Sequence, residues 1–190
     1  MKKLIFILAV VSLSACDLFT TRTPQDPVAP ATNNVPATSP DILFNNFSSA
    51  LEGKVLDNYM ACFVDSSYLK KRFRFIASSG STSQFPALAS WNLDAERQFF
   101  RNLKSIASDG NSITLALSNP VNTQFGDSAV YQYDYTLSLL AADKTVSGTY
   151  QGTALFKIFL DSRNQWVIVQ WEDSRKNNIQ SWSDLKGRIY

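Results

Sequence analysis

Five tyrosines and four carboxylates are the residues in this chain whose types and positions bear on chemistry. Tyr59, Tyr131, Tyr133, Tyr135 and Tyr150 all fall where a helix or strand pattern turns them toward a core. A phenol beside a carboxylate in an apolar pocket can hold an oxyanion while the carboxylate moves a proton. The carboxylates in question are Asp65, Asp134, Glu172 and Asp173. Asp134 lies on the polar parity of its strand, where a solvated outer face is expected. Asp65 follows a helix and is placed to open a turn. Glu172 and Asp173 end a strand near a rim. No acid is put inside by its pattern, so no catalytic residue is assigned.

Composition removes several other chemistries. Histidine is absent, which excludes Ser-His-Asp and Cys-His triads, histidine-based zinc sites and histidine pH switching. There is no glycine-rich phosphate loop, His/Cys cluster or EF-hand spacing, so neither a metal nor any other cofactor is expected. Eighteen basic residues face sixteen acidic ones. Two of the basic ones, Lys2 and Lys3, lie in a segment expected to be removed, which leaves a net charge of zero. No nucleic-acid partner is expected from such a balance. The run Lys70-Lys71-Arg72-Phe73-Arg74-Phe75 mixes cations with aromatics, as single-strand binders do. Here it reads as an exposed strand with Phe inward and Arg outward.

The elements that must position these groups begin after a leader and a spacer. Residues 1–15 carry a basic start, an apolar stretch from Leu4 to Val11 and small residues before Cys16. About a dozen apolar residues are too few to span a hydrocarbon core of ~30 Å, so the segment reads as a secretory signal. Leu13-Ser14-Ala15-Cys16 resembles the lipobox of bacterial lipoproteins. That resemblance implies cleavage before Cys16, a diacylglyceryl group (palmitate-bearing) on its sulfur, and a membrane partner reached through that anchor. The expected location is the bacterial cell envelope, on the periplasmic side or the cell surface. Residues 16–38 hold prolines at 24, 27, 30 and 36 with no apolar period, and read as a disordered Pro/Thr-rich tether. The twenty-two residues after Cys16 reach at most ~70 Å. Cys62 is then the one remaining thiol, which precludes an intrachain disulfide; it reads as buried and inert.

Residues 39–190 make the domain. Ser39-Pro40-Asp41 opens a helix that Gly53 closes. A second short helix carries Leu56, Tyr59, Met60 and Phe63 on one stripe. A strand is expected over 68–77 and a loop over 78–90. A third helix over 93–107 has Leu93, Phe99, Phe100, Leu103 and Ile106 as its apolar face, with Glu96 and Arg97 assigned to the other side. From residue 111 the period becomes two, giving four antiparallel strands. The last two, 145–173, turn at Asp161-Ser162-Arg163-Asn164. Trp171 breaks their parity, which calls for a bulge or a second buried surface. A capped turn at Ser181–Gly187 is expected to tuck Trp182 or Leu185 under the sheet. The layout is α+β: a strongly curved, mainly antiparallel sheet with about three helices on its concave face.

The tyrosine-bearing strand, Tyr150-Gln151-Gly152-Thr153-Ala154-Leu155-Phe156-Lys157-Ile158 and the final Trp166 to Asp173 resemble the nuclear transport factor 2-like superfamily, also called SnoaL-like or cystatin-like. The resemblance implies a cone with a pocket, lined here by Tyr59, Tyr131, Tyr133, Tyr135, Tyr150, Phe156 and Trp166, and suited to a small apolar ligand. Leu155, Val167, Val169 and Trp171 are expected on the outer sheet face as an interface, with a homodimer as one use of it. Members of the superfamily include isomerases and dehydratases as well as binding proteins. The isomerase pattern needs acids that this chain does not visibly place inside, and scytalone dehydratase chemistry needs histidines. The expected role is a non-enzymatic ligand- or protein-binding domain. The alternative is a small cofactor-independent isomerase or dehydratase acting in the cone.

Overall fold

The computed structural model describes residues 34–107 and 112–190. Cys16 with its expected lipidation, the leader and most of the tether lie outside the described residues. The last residues of the expected tether belong to the domain instead. Ala37 is buried, its carbonyl accepts from the Trp166 amide at 2.7 Å, and the Val35 carbonyl accepts from the Asn46 side chain at 2.6 Å.

Helix α1, Pro40–Glu52, starts as its sequence dictates. Ser39 is the N-cap, its hydroxyl accepting from the Ile42 amide at 3.3 Å, and Pro40 needs no amide partner in the first turn. Leu43, Phe44, Phe47, Ala50 and Leu51 form its buried stripe. Helix α2, Leu56–Ala61, buries Tyr59 and Met60. Six residues make a helix too short to persist alone, so it depends on that packing. Strand β1 is Arg74–Ile76 only, shorter than the expected 68–77, because the chain pairs with the sheet for just three residues. Within the run, Phe73 and Phe75 point in while Arg72 and Arg74 are exposed. The expected loop over 78–90 holds a short helix α3, Ser81–Gln84, and a 3-10 turn at Pro86–Ser90. Helix α4, Leu93–Ile106, is capped by Asn92, whose side chain accepts from the Ala95 amide at 3.0 Å.

The sheet follows as β2 (Ile113–Phe125), β3 (Ser128–Leu139), β4 (Gly148–Leu160) and β5 (Trp166–Arg175), in the order β1-β5-β4-β3-β2. Pairing is antiparallel except for β1 with β5. On β3 the alternation is strict: Ala129, Tyr131, Tyr133, Tyr135, Leu137 and Leu139 are buried, and their neighbours are not. On β4, Tyr150, Gly152, Ala154, Phe156 and Ile158 line the same face. At Gly152 a Cβ would sit 2.5 Å from the Ser174 carbonyl oxygen and 2.7 Å from the Tyr135 hydroxyl. Only glycine lets the strands and that phenol close up there. The pairing of Lys157 with Gln170 and of Ile158 with Ile168 leaves Val169 as the extra residue of a bulge. The bulge brings Ile168, Trp171 and Asp173 onto one buried face. Helix α5, Trp182–Ile189, replaces the expected single turn, with a capping box between Ser181 and Asp184.

Among the described residues no helix is long and apolar enough to cross a membrane.

Candidate functional site: the closed interior of the cone

The interior is built from rings, and its centre is occupied. Phe47 of α1, Tyr59 of α2, Phe156 of β4 and Trp171 of β5 converge there. The indole of Trp182 lies 4.6 Å from Trp171, 5.4 Å from Tyr135 and 6.0 Å from Phe47. The seven residues expected to line a pocket are all buried, but most of them meet other side chains. Tyr59 stacks on Phe100 at 4.2 Å, and the Tyr150 hydroxyl donates to the Val146 carbonyl at 2.7 Å. Tyr133 borders the surface groove described below.

Glu96 and Asp173 lie inside, contrary to expectation. Glu96 is fully buried, not on the solvent side of its helix as its charge suggests, because 93, 96, 100 and 103 fall at one helical spacing. Its Oε1 accepts from the Tyr59 hydroxyl and its Oε2 from Trp91 Nε1, each at 2.7 Å. Lys186 Nζ contacts both oxygens, reaching Oε1 at 2.5 Å and Oε2 more closely. The ammonium is also ringed by Trp171, Phe75, Phe99 and Trp91 at 4.3, 4.5, 4.6 and 5.0 Å. Burial pushes it down to about 8, against the pull of Glu96 in the other direction.

Asp173 is the second. Its expected rim position is wrong because the Val169 bulge turns it inward, to 1% exposure. Oδ1 accepts from the Tyr135 hydroxyl at 2.7 Å; Oδ2 accepts from the Ser183 amide at 2.8 Å and the Ser183 hydroxyl at 2.5 Å. Tyr135 in turn accepts from the Trp182 amide at 2.7 Å. A third cluster ties the start of α5 to the rest. Asp184 accepts from Arg175 at 2.6 Å, from Ser81 at 2.9 Å and from the Ser181 amide at 2.7 Å. Every one of these carboxylates is held by groups of α5 or sits on it. Among the described residues the buried orphans are two indole N–H groups, on Trp171 and Trp182. Each costs about 1–3 kcal/mol. Burying a tryptophan of ~200 Å² at ~25 cal/mol per Å² contributes about 5 kcal/mol, so the indoles still stabilise.

The carboxylates left outside behave as their pattern implies. Asp134 holds Asn119 at 2.9 Å and Lys176 at 3.2 Å on the outer face. Asp65 caps its own turn through the Ser67 amide at 2.8 Å. Of the four outer-face residues, Val167 and Trp171 are buried, while Leu155 and Val169 are half-buried. Trp171 turns inward after the bulge. Val167 pairs with Phe159, and the Lys71 ammonium lies 4.4 Å from the Phe159 ring, so the segment before β1 crosses that part of the sheet. A homodimer through the outer sheet therefore lacks Val167 and Trp171 as contacts.

Burial also dictates the response to alkali. All five core tyrosines are held above the usual phenol value by burial, with Glu96 adding at Tyr59 and Asp173 at Tyr135. Tyr133 is pushed up to about 12, and so is the Cys62 thiol. A raised folded pKa gives stability that is complete below the unfolded value and lost as pH climbs toward the folded one. Cys62 starts that loss above its ordinary 9.0, and the tyrosines join above 10.0. Lys186 has the opposite sign: between about 8 and its ordinary 10.5 the unfolded chain binds the extra proton, so this group gains stability with pH. Five phenols and a thiol outnumber one amine. The urea midpoint is expected to rise from pH 8 to about 9 on Lys186 alone, to level off as Cys62 offsets it, and to fall above about 10; a midpoint still rising at pH 11 would refute the assignment.

No family model matches the chain, and no curated protein matches it. Solved structures do. One, from Novosphingobium aromaticivorans and provisionally named an aromatic ring hydroxylase, is 16% identical with a TM-score of 0.55, over 77% of this chain and 92% of that one. A second from the same organism, provisionally named a scytalone dehydratase, is 11% identical at 0.55, over 72% and 80%. A third, from Streptomyces avermitilis and provisionally named a dehydratase of the nuclear transport factor 2-like family, is 9% identical at 0.56, over 72% and 92%. At such identities the likeness speaks to architecture alone, and the architecture of this chain is the nuclear transport factor 2-like cone.

Proposed function

We propose that this chain is a non-enzymatic binding domain of the bacterial cell envelope, lipidated at Cys16 and held to a membrane by its Pro-rich tether. The observation that carries the binding reading is the occupied interior. Glu96 and Asp173, the acids that chemistry in the cone would need, are spent on Lys186, Ser183, Tyr59, Trp91 and Tyr135. A substrate would have to displace Trp182 and a buried ion pair to reach them. Recognition on the outside of the cone needs no such displacement. The Leu13-Ser14-Ala15-Cys16 motif supports the anchor.

Two measurements test this. Palmitate labelling and membrane fractionation are expected to find the wild-type chain labelled and membrane-bound, and Cys16→Ser unlabelled and released. A Cys16→Ser chain that stays with the membrane removes the anchor from the proposal. A planar enone titrated against the protein is expected to leave its near-ultraviolet circular dichroism, dominated by the packed indoles, unchanged. A saturable change overturns the sealed interior.

A second reading, the cofactor-independent isomerase or dehydratase, draws on one geometry. The Tyr135 phenol and the Asp173 carboxylate meet at 2.7 Å in apolar surroundings. It requires α5 to leave the cone.

A further inference from the structure

A groove of about 630 Å³ runs between α1 and the edge strand β2. On the helix side Asp41, Asn45, Ser48 and Glu52 border it, one face at i, i+4, i+7 and i+11 that extends about 16 Å at 1.5 Å per residue. Leu115 and Leu117 form the opposite wall, and Phe44 and Tyr133 border it as well. Glu52 pins its end of the groove shut, its Oε1 accepting from the Leu115 amide at 3.0 Å. The Asp41 end is different. Asp41 is exposed and has no hydrogen-bond partner among the described residues.

Tyr133 supplies the independent sign of a ligand. Its side chain is more than nine-tenths buried, wedged edge-on against Phe44 with ring centroids 4.9 Å apart. Its hydroxyl finds no hydrogen-bond partner among the described residues, yet it is not one of the sealed orphans. That hydroxyl therefore reaches the groove, within the field of the Asp41 carboxylate. Both charges in the lining are negative, and no lysine or arginine borders it. An anion is thus repelled. A metal ion would find too few ligands, since no cluster of three metal-ligating side chains exists among the described residues.

We infer that this groove binds an organic cation, an alkylammonium or alkylguanidinium group on an apolar stem. The cation sits between the Asp41 carboxylate and the Tyr133 hydroxyl oxygen, both of which accept its N–H bonds. The stem lies along Leu115 and Leu117 toward Glu52. This deepens the binding reading above and rests on it, because it gives the outside of the cone something to recognise.

The test is a titration of the full chain in detergent micelles, followed by the ring resonances of Tyr133. 1,5-Diaminopentane and the blocked lysine N-acetyl-lysine-amide are the probes, with pentanoate as the control. Both amines are expected to saturate the shift and pentanoate to leave it unmoved. Tighter binding of the diamine assigns a free amine as the ligand; tighter binding of the blocked lysine assigns a side chain of a partner protein. Asp41→Asn is expected to weaken the amine about tenfold, as loss of one charge-assisted bond implies, and Tyr133→Phe several-fold. Added salt weakens it further. Neither side chain carries a hydrogen bond among the described residues, so both variants should keep the wild-type circular dichroism. No saturable shift with either amine, or an Asp41→Asn chain that binds as the wild type does, overturns the proposal. Anchorage and the sealed interior are read in other samples, so either can fail without the other.

Discussion

Lys186→Ala is expected to lower the unfolding free energy by about 3–5 kcal/mol, the usual cost of leaving a buried charge without its partner. Glu96 would keep Tyr59 and Trp91 as donors but lose the Lys186 ammonium that holds both its oxygens, in a site with no access to water. Lys186→Met should cost nearly as much although it keeps the stem among the rings. Shape is therefore not the issue; the orphaned carboxylate is. Lys186→Met combined with Glu96→Gln removes both charges; the carboxamide oxygen can accept from Trp91 Nε1 while its NH2 donates to the Tyr59 hydroxyl oxygen. That double variant is expected to recover to within about 1–2 kcal/mol of wild type, because a buried pair exchanged for neutral groups is often close to neutral overall. The cycle is read by urea unfolding. Single costs below about 1 kcal/mol, or strict additivity in the double variant, would show that the pair does not hold the fold.

This pair also marks where a sequence stops being readable. The strands were legible because period two is a local signal: β3 and β4 bury the residues their alternation names. The helix starts were legible because caps are local too. Glu96 lies on the apolar stripe of α4 by spacing, and only its type argued for solvent. Residue type is a poor guide once a partner exists, and the partner here is 90 positions away. The Trp171 parity break did announce a bulge. It did not say that Val169 was the extra residue, and so Asp173 read as a strand-end acid near a rim rather than a buried one. Three residues of β1 pairing gave no periodic signal to distinguish them from the six before. Of the groove, Asp41 was visible as a helix-start acid and Tyr133 as a core ring. Their approach depends on how α1 crosses the sheet, which no local pattern encodes.

A chain that ends at Gln180 is expected to lose its cooperative fold, and that outcome separates the two functional readings. Helix α5 inserts Trp182, Leu185 and Lys186, each with no exposed surface. Removing it uncovers about 200 Å² of indole contact, worth ~5 kcal/mol, and a leucine worth about 2 kcal/mol. It also strips Lys186 from Glu96, and the Ser183 amide and hydroxyl from Asp173. An uncompensated carboxylate adds about 3–5 kcal/mol to that. The total is about 10 kcal/mol, against the 5–15 kcal/mol by which domains of this kind are stable. Such a helix is a wall of the core. If instead the shortened chain keeps its near-ultraviolet circular dichroism and a sharp urea transition, α5 is a removable plug. The cone beneath it would then offer Tyr135, Asp173, Tyr59 and Glu96 to a ligand, and affinity for a planar enone should appear in the shortened chain alone. In that case the isomerase or dehydratase reading displaces the binding one. Loss of the transition leaves the interior as structure and puts recognition on the outer groove.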